Sequence, residues 1–444
     1  MADRIGGVVP PPPGITDTAA APPVRGRLAF GRAFRHRNYR LFFGGQLISL
    51  TGVWIQSVAM SWLIYRLTGS ATLLGLVGFA SQLPVFLLTP ITGAIADIIP
   101  RHRILLIAQC CAMVLTLVLA SLTLLHLVAI WHIFLIAILL GLVNAFDMPT
   151  RQAFVVEMVG KEDMQNAIAM NSTMYNGARM LGPAIGGILI ASIGEGWCFL
   201  VNGLSYGFVI GGYLLMRLAK PPPPPRVGML IRIAEGVRYI RSTKPILALL
   251  LLLGLVSLFG VPYSVLMPIF ARDVLHVGPS GLGYLLSAAG LGALGAAFTL
   301  ASRNTTRGLG KWVAMAAGGF GLSLIALAAS HWFLVSLLAL VGVGYCMMLQ
   351  MASSNTLIQS MVSDSLRGRV MAAYSMMIMG MVPFGALLSG TLAHQIGAPL
   401  TVAGGGAICL VGSLVFRHHL PRLAVAAQAL LYPPADSPQP PRDA

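Results

Sequence analysis

The sequence predicts an all-α membrane protein with twelve transmembrane helices in two six-helix halves. Three features support this prediction: the chain is apolar, its cations are clustered in alternate gaps, and its halves repeat. The mean hydropathy is +0.82 and only 9% of the 444 residues are charged. The apolar runs are continuous and lack period-2 alternation, which favours helices over a β-barrel.

The cations fix the number and direction of the crossings. Lys and Arg outnumber Asp and Glu by 29 to 13, and nearly all lie at the termini or in even-numbered gaps between apolar runs. The odd-numbered gaps hold only Arg66 and Arg272. Because Lys- and Arg-rich loops stay in the cytoplasm, we expect a multi-pass inner-membrane protein with both termini cytoplasmic. Cations spread over short loops suit lipid headgroups, and nucleic-acid binding is not expected.

Each crossing needs roughly 20 apolar residues, and twelve such runs follow one another along the chain. The fifty glycines suit this class, since small residues let membrane helices approach closely. The first six crossings are expected at about 41–65, 72–96, 104–125, 129–149, 165–192 and 197–217. The second six are expected at about 246–270, 281–301, 311–329, 332–352, 370–393 and 400–417.

A run of five prolines divides the chain, because no helix continues through it. Residues 218–245 are therefore predicted to form a cytoplasmic Pro-rich linker with an amphipathic surface helix. The linker joins a six-helix bundle at 39–217 to a second at 246–418. The basic N-terminal tail, 1–38, and the C-terminal tail, 419–444, are predicted to be cytoplasmic and disordered.

The two halves resemble each other at a constant offset of 203 residues, as in Gly182 with Gly385 and Gly187 with Gly390. This repeat predicts pseudo-symmetry about an axis along the membrane normal, the plan of one transporter superfamily.

Several motifs strengthen that assignment. Residues Gly93–Arg103 resemble the signature loop of the major facilitator superfamily, with Ile98 and Pro100 departing from its pattern. Gly182, Pro183, Gly186 and Gly187 are similar to the second half of an antiporter motif. Residues 144–154, 159–167, 176–183, 194–197 and 366–370 resemble the enterobactin exporter and macrolide efflux branch.

The resemblance implies the major facilitator fold and proton-driven export of a small siderophore- or drug-like molecule by alternating access. It also implies that the second helix abuts the start of the eleventh, where Asp97 would act as a latch on a helix N-terminus. A solvated loop acid is the alternative for Asp97. The predicted gating residues are Asp97, Arg101 and Arg103 in the first half and Asp364, Arg367 and Arg369 in the second.

Arg179 is expected near the bilayer midplane, about 14 residues into the fifth crossing. One interpretation is structural, with the guanidinium holding helices together by bonding to backbone carbonyls or to polar groups such as Asn171, Asn176 or Gln350. The other is functional, with Arg179 contacting an anionic substrate group or taking part in coupling. The sequence leaves both open.

Asp147 and Arg151 have the i,i+4 spacing of a local ion pair at a helix end. Proton coupling through Asp147 is the alternative, and Asp147 is expected too far from Arg179 to pair with it. Gln46, Trp54 and Gln56 in the first crossing either face a substrate cavity or hold helices together.

The sequence has no nucleotide-binding loop, metal spacing or paired nucleophile and base, so neither a cofactor nor enzymatic activity is expected. The expected partners are a small molecule, the bilayer and a proton gradient, with the chain acting as a monomer. Uptake by symport and a non-transporting scaffold or lipid-handling role are the alternatives. No acid is expected well inside a crossing, which counts against symport and weakens proton coupling.

Overall fold

The computed structural model describes residues 31–160, 162–217, 238–302 and 308–431. Throughout these ranges the secondary structure is helical, without β-strands. The first-half helices are α1 (Arg37–Thr68), α2 (Ala71–Ile98), α3 (Arg101–Leu124), α4 (Ile130–Val159), α5 (Met164–Ile193) and α6 (Glu195–Leu214). The second-half helices are α7 (Lys244–Val274), α8 (Gly278–Ala301), α9 (Leu309–Ala329), α10 (Phe333–Met361), α11 (Asp364–Met379 and Val382–Ile396) and α12 (Ala398–Leu431).

The predicted all-α membrane fold is confirmed. Eleven of the described helices are long and apolar enough to cross a bilayer. The twelfth, α5, is 30 residues long; its first half is polar, with Asn171 and Asn176 among its side chains, and Arg179 lies at its middle. A crossing helix with polar residues in one half is expected where that half faces the protein interior or water rather than lipid.

The helices alternate in direction, so their connections gather at two ends of the bundle. The end that holds the start of α1 is called the inner end here, and the opposite end the outer end. At the inner end, Arg32 preceding α1 lies 3.2 Å from Asp163 preceding α5. At the outer end, Arg66 of α1 lies 2.7 Å from Glu195 of α6. Which end faces the cytoplasm stays a prediction.

The repeat between the halves extends to their helix boundaries. The offset of 203 residues carries α4, Ile130–Val159, onto residues 333–362, and α10 spans Phe333–Met361. It also pairs Gly194 with Gly397, which end α5 and α11 with nearly the same backbone angles (φ 88°, ψ 170° and φ 86°, ψ 155°). The predicted pseudo-symmetry is therefore present in the backbone.

The predicted end of the fourth crossing at 149 is wrong, because α4 continues through Pro149 to Val159. Proline removes one backbone donor, but here the following turns remain helical because Phe154, Val155 and Met158 are buried in an apolar cluster. Asp147 consequently lies about 18 Å along the helix axis from the inner end of α4. Asp147 is therefore well inside α4, whereas the sequence predicted a position near a helix end.

Prolines also interrupt two second-half helices. The regular part of α7 ends at Leu255 and is followed by wide and tight turns around Pro262 and Pro268, which cannot donate backbone hydrogen bonds. Helix α11 breaks just before Pro383. Helix α12 runs to Leu431, past the predicted boundary at 418, because its Ala- and Leu-rich extension is itself helix-forming. The predicted linker helix lies mostly outside the described residues.

Candidate functional site

The two halves are tightly packed in the outer half of their interface. A Cβ atom added to Gly187 of α5 would lie 2.9 Å from the Cα of Gly283 in α8. The symmetric pair is as close, since a Cβ on Gly75 of α2 would lie 2.8 Å from the Cα of Gly390 in α11. Only glycine permits such backbone contact between helices. Gly187, proposed from the antiporter-like motif, thus lies on a seam between the halves.

A group of polar residues, the outer clasp, joins the halves at the outer end. The Tyr65 hydroxyl of α1 donates a hydrogen bond to the Asp273 carboxylate of α7. The guanidinium of Arg272 donates to the Tyr65 carbonyl at 3.3 Å and lies 5.5 Å from the centre of its ring. Arg66 binds Glu195 within the first half. Both cations of the odd-numbered gaps are therefore paired at this end.

The inner half of the interface is open. At the outer end, one apolar cluster contains residues of both halves, such as Leu63 with Phe270. At the inner end each half has its own cluster, around Phe154 in the first and around Leu250 in the second. The inward face of α5 follows the same pattern, since Ile168 near its inner end is 51% exposed and Ile190 near its outer end only 6%. We call this space the inner opening.

Arg179 lies on that inward face at the middle of α5, fifteen residues after Met164 and fourteen before Ile193. Its side chain is half-buried. A charged residue at the centre of a membrane helix costs about 2.5–3.5 kcal/mol unless something offsets it. Among the described residues no hydrogen bond or ion pair to its guanidinium is found. Arg179 is close enough to Tyr263 of α7 to act on it electrostatically.

None of the three residues expected to hold Arg179 structurally does so. Asn176 instead donates to the backbone carbonyl of Ser172 at 2.8 Å. The Asn171 side-chain oxygen and both polar side-chain atoms of Gln350 are buried without a hydrogen-bond partner among the described residues. The geometry therefore does not supply the structural role that the sequence allowed.

Trp54 packs against Gly182 of the antiporter-like motif, one turn after Arg179 on α5. A Cβ on Gly182 would lie 2.5 Å from the Trp54 Cβ, so glycine is needed for α1 to approach α5 here. The Trp54 ring meets Tyr175 edge to face, with 6.0 Å between ring centres. One turn further, Gly186 brings α5 against Ile55 of α1. Pro183, between these contacts, lies at the seam with Gly283.

A buried polar network inside the first half contains Asp147. Gln109 of α3 donates to one Asp147 oxygen at 2.8 Å, and Arg151 lies 3.4 Å from the other. Arg151 also donates to Gln46 of α1 at 3.0 Å, and Gln46 donates to the Tyr213 hydroxyl of α6 at 3.3 Å. The network joins four helices. It contains the expected Asp147–Arg151 pair, but in the helix interior rather than at its end.

Gln56 belongs to a second buried network nearer the outer end. Its side-chain oxygen accepts hydrogen bonds from Asn202 of α6 at 2.5 Å and Thr116 of α3 at 3.2 Å. Ser205 donates to the Asn202 side-chain oxygen at 3.1 Å. Gln56 therefore connects three helices of one half and does not face the inner opening.

The repeat identifies what the second half has in place of the Asp147 network. At the offset of 203, Asp147, Thr150 and Arg151 correspond to Gln350, Ser353 and Ser354 of α10. All three α10 side chains are buried and unpaired among the described residues. The counterparts of Gln46, Gln109 and Tyr213 are Leu249, Trp312 and Phe416. The Asp147 network is therefore specific to the first half.

The predicted gating residues are only partly visible. The side chains of Asp97 and Asp364 lie outside the described part of the chain. Arg101 binds Glu157 of α4 at 2.8 Å, within the first half, and Arg103 is exposed. Arg367 and Arg369 lie in the first turns of α11, as expected. The latch stays a prediction.

Sequence comparison places this architecture among known transporters. The profile of a family described as "Transmembrane secretion effector" (MFS_3) matches residues 30–440. The chain is 24% identical to the staphyloferrin A transporter of Staphylococcus aureus, over 84% of this chain and 94% of that protein. It is 28% identical to the multidrug efflux pump Tap of Mycolicibacterium fortuitum (78% and 87%). It is 23% identical to the enterobactin exporter EntS of Shigella boydii (86% and 91%).

Solved structures support the same fold. A bacterial homologue of the lysosomal transporter Spinster matches with a TM-score of 0.66 at 14% identity, covering 89% of this chain and 98% of that chain. A bacterial homologue of the iron transporter ferroportin matches with a TM-score of 0.67 at 15% identity, covering 86% and 98%. The major facilitator fold expected from the motifs is confirmed.

Proposed function

We propose, from the premise that this chain belongs to the transmembrane secretion effector family, that it exports a small organic molecule by proton-driven alternating access. The observation that carries this proposal is an interface sealed at its outer half and open at its inner half. We further propose that it acts as a monomer in the inner membrane, with the inner end in the cytoplasm. In that orientation the described state is ready to load substrate from the cytoplasm.

The seams suggest how the halves move. The glycine contacts between α5 and α8 and between α2 and α11 are backbone contacts with no interlocking side chains. Such surfaces can separate without breaking hydrogen bonds. Opening the outer end therefore has to expose the apolar cluster that both halves share and to break the outer clasp of Tyr65, Arg272 and Asp273. Rocking of one half against the other would then expose the substrate site outward.

We propose Asp147 as the proton carrier. As a carboxylate it is held by Arg151 and Gln109. Protonation would remove its charge and release Arg151, which also binds Gln46 on α1. One proton would thereby change the contacts between α4 and α1. A proton that binds one conformation more tightly than the other shifts the equilibrium between them. The burial of Asp147 and the bond from its partner Arg151 to α1 support this proposal.

Everted membrane vesicles provide the test, because export in the cell becomes uptake there. The probes are carboxyfluorescein and tetramethylrhodamine methyl ester, which share a xanthene core and differ in charge. We expect an acid-inside pH gradient to drive accumulation of at least one dye, and an uncoupler to abolish it. Asp147→Asn should remove the response to the gradient, whereas Glu162→Gln, at an exposed loop acid, should not.

The alternatives predict different results. Accumulation in right-side-out vesicles instead of everted ones would indicate uptake by symport. Saturable dye binding without flux in either vesicle orientation would indicate a scaffold or lipid-handling protein. Gradient-driven accumulation that survives in Asp147→Asn would refute Asp147 as the proton carrier while leaving export intact.

A further inference from the structure

We propose that the transported molecule is an organic anion with an aromatic or apolar body, and that its acidic group binds Arg179 in the inner opening. The inference rests on the proposed function, because it names the substrate class of that transporter. It is carried by the position of Arg179, by the lack of a protein anion to balance it, and by the aromatic side chains around it.

The position of Arg179 requires a counter-charge or water. Mid-helix cations in membrane proteins face the interior and are paired there. Arg179 does face the interior, between the α1-facing positions Ala178 and Gly182 and the α8-facing positions Met180 and Pro183. An apolar residue would fill this place without a desolvation cost, and the second half has Val382 at the equivalent position.

No described acid is available to balance this charge. Each acid with a described side chain in a spanning helix is already bound to another group. These are Asp147 with Arg151, Glu157 with Arg101, Glu195 with Arg66, and Asp273 with Tyr65 and Arg272. Asp97 and Asp364 are at inner helix ends, about 22 Å along the axis from the level of Arg179. The counter-charge is therefore expected to come with the ligand.

The surroundings of Arg179 suit the rest of such a ligand. Trp54 and Tyr175 form an edge-to-face pair beside it, and Tyr175 is 43% exposed, so its ring borders the inner opening. A planar guanidinium binds a carboxylate through two parallel hydrogen bonds, and the Trp54 and Tyr175 rings offer apolar contact to an aromatic body.

The site also lies next to the moving interface. The backbone carbonyl of Arg179 and the Cα of Met180 are 3.0 and 2.8 Å from a Cβ built on Gly290 of α8. A ligand on Arg179 therefore sits beside the seam that must open for release. Binding at this point can favour one arrangement of the halves over the other.

Binding and transport are measured separately to test the inference. Purified protein in nanodiscs is titrated with carboxyfluorescein and with tetramethylrhodamine methyl ester, followed by fluorescence anisotropy. We expect saturable binding of the anionic dye, weakened at least tenfold by Arg179→Gln, which corresponds to about 1.4 kcal/mol. Arg179→Lys should retain part of the affinity, because it keeps the charge and loses the two-pronged geometry. Arg417→Gln, which removes an exposed cation on α12, serves as the matched control.

The melting temperature of Arg179→Gln separates a ligand role from a structural one. Without a protein partner to lose, this variant should melt no lower than the wild type, and a clear drop would overturn the inference. If the wild type binds the anionic dye but does not transport it, and Arg179→Gln abolishes this binding, the anion site is supported and the proposed export function is refuted. Transport of the cationic dye alone, unchanged in Arg179→Gln, would refute the site and support the exporter. Failure of both dyes to bind and to move would refute both.

Discussion

Replacing Asp147 and Arg151 by the residues at the equivalent second-half positions tests what their ion pair contributes. The variants are Asp147→Gln, Arg151→Ser and the double substitution, which gives α4 the polar residues that α10 has as Gln350 and Ser354. The backbones of the two helices correspond along their whole length. The double variant is therefore expected to fold. A difference between its stability and that of the single variants measures the contribution of the ion pair.

The expected magnitude follows from burial. Breaking a fully buried ion pair costs about 3–5 kcal/mol, because one charge stays behind without a partner. Here the Asp147 side chain is 7% exposed and that of Arg151 is 23% exposed, and Arg151 keeps Gln46. The free energy of unfolding of each single variant should therefore be about 2–3 kcal/mol lower than that of the wild type, a smaller loss than for a fully buried pair. The double variant leaves no unpaired charge and should lose less than the sum, with an interaction energy of about 1–3 kcal/mol.

Unfolding of the purified variants in a denaturing-detergent titration measures these differences. Gln350→Leu serves as a counterpart, because it removes a buried amide that has no partner and should leave stability unchanged or raise it. If the two single variants' losses of unfolding free energy add up to the loss of the double variant within about 0.5 kcal/mol, the pair contributes no interaction energy. That result would also remove the basis for transmitting a protonation of Asp147 to Arg151.

Three further predictions concern gating and orientation, each read out by labelling a single cysteine in a Cys-less background with an impermeant maleimide. The outer-half reporter is Ile190→Cys. Arg272→Ala should raise its labelling from outside several-fold because the substitution weakens the outer clasp, whereas Arg66→Ala should not, since Arg66 pairs within one half. Equal effects of the two substitutions would contradict the role of the clasp. Gly187→Val should also raise labelling of the same reporter, because its side chain prevents the approach of Gly283; unchanged labelling would mean that the seam does not need to close. A cysteine at position 228 should be inaccessible from outside intact cells, and labelling there would reverse the predicted orientation.

The fold was predictable because its signals are local. Apolar runs of sufficient length and the alternation of cations give twelve crossings without any tertiary information. The main error, the end of α4, arose where a tertiary effect prevailed over a local one. Pro149 and the polar residues after it indicate a helix end, but burial of Phe154, Val155 and Met158 keeps the next turns helical.

The candidate site was predictable only where one residue was anomalous by itself. Arg179 is conspicuous as a cation in an apolar run, and the structure places it at mid-helix on the inward face. Gln109 and Tyr213 gave no such signal, because a polar residue in a crossing does not indicate which helix it will face. The repeat contained a usable clue: at the offset of 203 their counterparts are Trp312 and Phe416, so the polar residues are peculiar to the first half.

The distribution of symmetric and asymmetric residues separates the parts that move from those that bind. The seam glycines Gly187 and Gly390 are related by the repeat and make equivalent contacts on opposite sides of the interface. Rocking of one half against the other uses both seams, so both must be able to separate. The Asp147 network and Arg179 have no charged counterparts in the second half. A chemical event needs to occur only once per cycle to shift a two-state equilibrium, and a single site in one half is sufficient for it. Substitutions at the symmetric seams should therefore change the rate of transport for every substrate alike, whereas substitutions at Arg179 should change which molecule is carried.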